Sequence, residues 1–444
     1  MRHNMTLAHT LGTFATGPIT PDTRMTRFVH CSLYDWATVG LAGRDEPVAR
    51  AARAMALQTA GTKNSATVFG SGRASPAAAA LANGAASHAL DYDDTHFGYL
   101  GHPSVAVVPA ALALAEAKAA TGADFIEALT VGLETACRVG AWMGRPHYEA
   151  GFHQTGTSGA FGATAAAGRI LGLNADQMAQ ALSLTATRAA GLKSQFGTMG
   201  KPLHAGFAAE VGVTTALLAQ MGATSAPDAL EGPQGFGPTH SGAAEISALH
   251  NIGQEWLFSG VSYKFHACCH GLHSMLEALR SIDLTDIPAS AIDTVSINTH
   301  PRWLNVCNQP APETGLQAKF SYRLTAAMVL GGLDTAALDV YSAETCARGD
   351  ICALRDRVTV IPDDTLSDSE AQVCITAGET VRSARHDILT TNDPDAIKLR
   401  LQDKSETLLG RDLSAALWED ICYIDKPDGP AVLAARIGTT TPNG

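Results

Sequence analysis

No apolar run in this sequence is long enough to cross a bilayer: the longest, Val105 to Ala115, is about half of the roughly 20 residues a span requires, and Glu116 and Lys118 close it. Positive charge is scarce too. Lys and Arg number 31 against 43 Asp and Glu, a net charge of −12, which opposes attraction to nucleic acid or to an anionic membrane surface. The nine cysteines contain no CxxC pair and are scattered through a chain large enough to need no staples, so reduced thiols are expected rather than disulfides or a structural zinc. The N-terminus, MRHNMTLAHTLGTFATG, lacks the continuous apolar core of a signal peptide, and a cytoplasmic protein is the expectation. A Gly-rich dinucleotide loop and a Walker-type loop are both missing, so no cofactor is expected. With 46% apolar and 17% charged residues, the 444-residue chain excludes a long disordered tail and allows two or three domains.

Between about Asp22 and Leu257, Ala-rich segments alternate with short Gly, Asn or Pro breaks: Glu46 to Thr59, Ala77 to Leu90, Val105 to Thr121, Asp124 to Met143, Gly159 to Leu171, Ala175 to Gly191 and Gly206 to Met221. Met178, Ala181, Leu182, Ala186 and Ala189 recur at helical spacing, with Asn174 placed as an N-cap. Small side chains let helix axes approach, so a helical bundle is predicted. After about Gly260 the texture changes. Ala291 to Asn298, Arg357 to Pro362 and Ala371 to Thr376 read as strands, interleaved with helical stretches at His270 to Ser281 and Thr325 to Leu333. Helical periodicity returns from Asp395 to Arg436. The prediction is a mainly α protein with an α+β part: a discontinuous helical domain over 1–263 and 395–444 and a smaller domain over 264–394.

Four polar clusters stand out in this apolar background. His88 to Ser104, HALDYDDTHFGYLGHPS, places Asp91, Asp93, Asp94, Thr95, His96 and His102 at a helix-to-helix junction, where polar groups must be solvated or partnered. It reads as a surface loop or as a functional site. The DDxxD metal pattern fails here, because Phe97 and Gly98 stand where the next Asp belongs. Phe152 to Gly159, FHQTGTSG, carries His153 into a helix start that attracts anions or simply packs. In Lys193 to His204 a Gly turn is expected to deliver Lys201 and His204 ahead of the helix from Gly206, which suits an anionic substrate or is a solvated turn with an exposed Lys. Tyr263 to His273, YKFHACCHGLH, sets Lys264 among His266, Cys268, Cys269, His270 and His273 at the predicted domain boundary. Without regularly paired ligands it fits proton transfer in an interdomain cleft better than metal binding.

In this order the clusters resemble the MmgE/PrpD family, which includes 2-methylcitrate dehydratases, cis-aconitate decarboxylases and an iminodisuccinate epimerase. The likeness spans most of the chain and rests on HALDYDDTH with GHPS, GFHQTGTSGAFGATAAAG, GTMGKPLHAGFAA, EGPQGF and YKFHACCHGLH. It implies a helical domain built from both ends of the chain, an inserted α+β lid, a homodimer, and an active site between helical domain and lid. By motif the resemblance assigns catalytic roles to Asp91, Thr95, His102, Lys201 and Lys264. His96, His153, His204, His266, Cys269, His270 and Tyr322 are the accompanying candidates for substrate contact. Cys269 stands where the decarboxylases place a His, and Leu324 where they place a Tyr, with Tyr322 nearby as a substitute.

The family's reactions share a carbanion made or quenched next to a carboxylate, which cations and fixed donors stabilise best in a dry cleft. Lys201 and Lys264 are expected to neutralise carboxylates and His102 to move the proton, oriented by Asp91 and Thr95. The implied activity is a cofactor-independent, metal-free lyase or isomerase of a small polycarboxylate. It is read first as a 2-methylcitrate or citrate dehydratase and alternatively as an epimerase of an iminodisuccinate-like substrate. Behind these stand a cis-aconitate decarboxylase and a catalytically silent helical binding protein.

Overall fold

The apolar stretch around Val105 forms the centre of a helix, and every residue from Ser104 to Ala115 is buried in the computed structural model of the chain. A helix apolar all round needs neighbours all round. The structure describes residues 6–61, 63–390 and 392–439. The opening of the N-terminal segment, 1–5, and the end of the predicted helical domain, 440–444, lie outside the described residues. Two compact units result, Met1–Tyr263 with Pro394–Gly444, and Lys264–Asp393. Among the described residues no helix is long and apolar enough to cross a membrane.

The first unit is helical: α1 (Leu7–Thr16), α2 (Thr23–Gly43), α3 (Pro47–Ala56), α4 (Pro76–Ser87), α5 (Ser104–Lys118), α6 (Gly122–Glu149), α7 (Gln154–Ile170), α8 (Ala175–Ala186) and α9 (Gly200–Gln220). Tail helices Pro394–Leu409, Arg411–Cys422 and Gly429–Ile437 complete it. Local chemistry sets several starts. Asp22 caps α2 through the Met25 amide, Thr121 and Asp124 form a reciprocal capping box on α6, and Asn174 does the same with Gln177 on α8.

Glycine decides how close the central helices come. A Cβ on Gly206 of α9 would meet the Leu81 carbonyl at 2.4 Å, and one on Gly84 of α4 would meet the Gly206 Cα at 2.8 Å. This crossing brings the C-terminal end of α4 beside the start of α9. Gly206→Val is expected to cost about 1–3 kcal/mol of stability by overpacking; chemical denaturation measures it, and an unchanged midpoint would show the crossing to be loose.

Two helices begin earlier than their sequence pattern predicts. α7 starts at Gln154 instead of Gly159, so the polar run QTGTS is the buried first turns of a helix. α9 starts at Gly200 instead of Gly206, so Lys201 and His204 lie within its first turns and not ahead of it. Polar Thr, Ser and His on a buried helix face hide the apolar period that marks a helix start.

Two short strand pairs accompany the helices: β1 (Ala66–Thr67) with β2 (Arg73–Ala74), and β3 (Thr95–His96) with β4 (Val261–Ser262), both antiparallel.

The second unit is α+β. Its sheet has the order β6-β5-β7-β8, with β5 (Thr294–Thr299) parallel to β6 (Val358–Pro362) and antiparallel to β7 (Glu370–Ala377), which pairs antiparallel with β8 (Thr380–Asp387). Val295, Ile297, Val373 and Ile375 turn to one buried face, and helices His273–Ser281 and Tyr322–Leu330 pack on the sheet. β8 escapes the sequence reading because TVRSARHD carries its charges on an exposed edge, where no apolar alternation is required.

Candidate active site

Three neighbouring carboxylates follow α4, and the backbone treats each differently. His88 caps the helix end, the chain reverses at Asp91 with φ of +51°, and Asp93 and Asp94 then turn inward with no exposure, while the Asp91 side chain stays 38% exposed. A left-handed aspartate is uncommon and costs about 1 kcal/mol or more, which the surrounding contacts must sustain.

Asp93 is the hub. Its carboxylate lies 2.9 and 3.1 Å from His88 Nδ1 and 2.8 Å from His102 Nδ1, with the two rings 4.6 Å apart. Burial alone would raise the Asp93 pKa, but His102 and then His88 outweigh it and hold the carboxyl well below the usual range. A charged Asp93 accepts from His88 Nδ1–H and pairs with His102 at its Nδ1 side, which leaves His102 Nε2 to exchange protons on its other side. There it faces Asp91 Oδ1 at 3.5 Å, and Asp91 Oδ2 pairs with Lys201 Nζ at 2.7 Å. The Lys201–Asp91 pair is the partly exposed rim and Asp93 the dry floor.

The backbone of this loop is held from several sides. The His102 amide donates to Thr155 Oγ1 at 3.0 Å. Tyr99 donates to the Gln154 carbonyl at 2.9 Å from a cradle that a Cβ on Gly140 or Gly159 would fill. Asp94 accepts from the Ser104 amide and lies against its hydroxyl. Burial, reinforced by the charges of Asp35 and Asp93, pushes the Asp94 carboxyl up to about 8.

A second imidazole pair adjoins the hub. His153 Nδ1 lies 3.0 Å from His204 Nδ1, and the His153 ring stacks 5.9 Å from that of His88. Burial, with the charge of Lys201 and the surrounding imidazoles, holds His153 well below its ordinary value; burial, His88 and Lys201 lower His204 to about 4. The unfolded chain therefore takes up protons below about pH 6.5 while folded His204 does not until about 4, so falling pH favours unfolding over that window. Screened by solvent, the loss attributable to His204 is about 2 kcal/mol. His204→Gln is expected to flatten the fall in denaturation midpoint between pH 6.5 and 4; an unaltered slope would place the titrating group elsewhere.

Of the residues singled out in the sequence, Asp91, His102, Lys201, His153 and His204 gather here. Thr95 sits in β3, its Oγ1 3.5 Å from the Ser262 carbonyl. His96 stands apart: Nδ1 accepts from the Tyr99 amide at 3.0 Å and Nε2 donates to the Leu257 carbonyl at 2.7 Å, so both nitrogens serve the backbone. His88 and Asp93, which lie in the polar segment but were assigned no role from the sequence, are the site's centre. Their signal was the His five residues before a buried Asp at a helix end.

The remaining candidates belong to the second unit. Lys264 opens it and is buried, with Cys268 and Cys307 feeling its charge. His266 bridges Thr335 Oγ1 at 2.7 Å and Glu277 Oε1 at 2.8 Å. The Cys269 amide donates to the Lys319 carbonyl, and the His270 ring lies 4.7 Å from that of His273. Tyr322 is fully buried, its hydroxyl donating to the Gly271 carbonyl at 2.6 Å and meeting Thr299 Oγ1 at 2.9 Å.

His88, Asp91, Asp93 and His102 also bring one donor atom each within 4.8 Å of one another, a spacing that could hold a divalent cation. Both Nδ1 atoms, however, lie at hydrogen-bond distance from the Asp93 carboxylate, so the two rings and the carboxylate partner one another without a cation. Exhaustive chelation is expected to leave turnover unchanged; loss restored by a divalent cation would make this a metal centre.

The family model for the MmgE/PrpD N-terminal domain matches residues 7–249, and that for the MmgE/PrpD C-terminal domain matches 266–411. A cis-aconitate decarboxylase-like protein of Aspergillus oryzae is 29% identical over 360 residues, 74% of this chain and 73% of that protein. The cis-aconitate decarboxylase of Homo sapiens is 30% identical over 284 residues, 60% of this chain and 58% of its own. That of Aspergillus terreus is 32% identical over 225 residues, covering 47% and 45%.

Proposed function

This chain belongs to the MmgE/PrpD family, and on that premise we propose that it is a lyase of a small polycarboxylate in which His102 moves a proton at a carbon next to a carboxylate. The observation that carries the reading is the buried Asp93 held between two imidazoles, with His102 Nε2 turned toward Asp91 and Lys201. Asp93 fixes the proton on Nδ1 and stabilises the imidazolium that forms when Nε2 takes a second one. Lys201, paired with Asp91 at the rim, is available to exchange that carboxylate for one of the substrate's. The charge that develops on the reacting carbon then spreads into a neighbouring carboxylate close to a cation.

The same arrangement serves two eliminations. In a dehydration His102 removes the α-proton and returns it to the departing hydroxyl, which leaves as water; in a decarboxylation the electron pair left by CO2 is quenched by a proton from Nε2. The names of the relatives favour decarboxylation of cis-aconitate as the second reading, beside the dehydration of a 2-methylcitrate-like acid. Proton NMR in D2O with cis-aconitate, 2-methylcitrate, citrate and iminodisuccinate in separate tubes decides between them. Loss of CO2 from cis-aconitate establishes the decarboxylase and loss of water from a hydroxy acid the dehydratase. Deuterium uptake with inversion confined to iminodisuccinate would replace the lyase by an epimerase. No change in any tube would remove this substrate class.

A further inference from the structure

Beneath the polar loop lies a charge pair that the proposed reaction does not use. Lys404, on the tail helix Pro394–Leu409, is 2% exposed, and Asp35, in the middle of α2, is 1% exposed. Lys404 Nζ lies 2.6 Å from Asp35 Oδ1 and donates to the Tyr92 carbonyl at 2.6 Å, with its charge 4.0 Å from the centre of the Tyr92 ring. Burial raises the Asp35 carboxyl to about 6, against the pull of the Lys404 charge. The pair thus grips the chain at Tyr92, the residue before Asp93.

Packing does not require charges at this place. Desolvating two ions costs several kcal/mol, and apolar side chains of the same volume commonly fill such a space as well or better. What a pair of this geometry supplies is direction: the carboxylate holds the ammonium, and the ammonium fixes the carbonyl oxygen of Tyr92, in the peptide that leads into Asp93. The demand is real, because the preceding residue, Asp91, holds a left-handed backbone. Neighbouring bonds tie α2 to the tail around the pair, Thr38 to Ser405 on the same tail helix and Tyr34 to Ser414 on the next, Arg411–Cys422.

We propose that Lys404 and Asp35 are positioning residues: they hold the backbone at Tyr92 so that Asp93 meets His88 and His102, and through them the tail helix sets the geometry of the candidate site. The proposal rests on the reading of His102 as the acid–base group.

Asp35→Asn with Lys404→Met removes both charges and strands neither. The double variant is expected to keep its helical circular dichroism, to hold KM within about twofold, and to lose between about tenfold and a hundredfold in kcat. Its kcat–pH profile should move as well, because the profile reports His102 among Asp91, Asp93, His88 and Lys201. Nitrogen-15 NMR of the His102 ring follows the same change without substrate. Wild-type kcat and pH profile in the double variant, with His102→Gln inactive, would overturn the proposal; an active His102→Gln would overturn the reading of the site instead. Should the double variant not fold, Asp35→Asn alone keeps Lys404 on the Tyr92 carbonyl. A several-fold fall in kcat is then expected, and an unchanged profile counts against the proposal.

Discussion

His102→Gln is expected to lower kcat by about a thousandfold, within the range that a positioned acid–base group contributes, while KM for the polycarboxylate changes little. Glutamine can still donate an N–H toward Asp93, so the buried carboxylate keeps a partner and the fold is retained; what disappears is a group able to take and return a proton at the position of Nε2. The split between kcat and KM separates this role from binding, since Lys201 remains to hold substrate carboxylates. Steady-state kinetics on the substrate identified by NMR measure it. Turnover within a fewfold of wild type would remove His102 from the centre of the mechanism.

Asp93→Asn is expected to reach a comparable loss by another route, roughly a thousandfold or more, because one of the two oxygens that face the Nδ1 atoms becomes an NH2 that cannot accept. Its NH2 faces one of the rings and forces that ring to carry its proton on Nε2. In His102 this is the wrong tautomer for a base. The buried anion that balances the two imidazoles also disappears, at a further cost of about 1–3 kcal/mol in stability. Ring nitrogen-15 shifts of His88 and His102 read the tautomer directly, and urea denaturation reads the stability. Because the two residues act as one unit, Asp93→Asn combined with His102→Gln should be no slower than the slower single variant. An additive loss would mean that Asp93 acts independently of His102.

Much of the helical domain was legible because helix formation leaves a local record. Asn174 before Ala175 and the 3.6-residue spacing that follows are short-range facts, and α8 begins where they predict. Strands β5, β6 and β7 were legible for the same reason, since alternation on a half-buried sheet is imposed residue by residue. β8 was not, because an exposed edge imposes none. The starts of α7 and α9 were hidden where polar side chains occupy buried turns.

The sequence by itself determined the helical texture, the change near Gly260, the polar segment from His88 to Ser104 and the ordered motifs that identify the family. Three aspartates within one four-residue stretch, 91–94, however, are chemically identical in a string of letters. Only the folded backbone, reversing at Asp91, sends Asp93 to two imidazoles, Asp94 to Ser104 and Asp91 to Lys201. His96 looks as available as His102 until its nitrogens are found on backbone groups. Lys201 reaches the site because Gly84 and Gly206 let α4 and α9 touch, and Lys404 reaches it from a tail helix that no local pattern connects to Asp35. Long-range contacts decide which of several equal side chains loses its water, and desolvation with its new partners then sets the charge, the tautomer and so the chemistry of each.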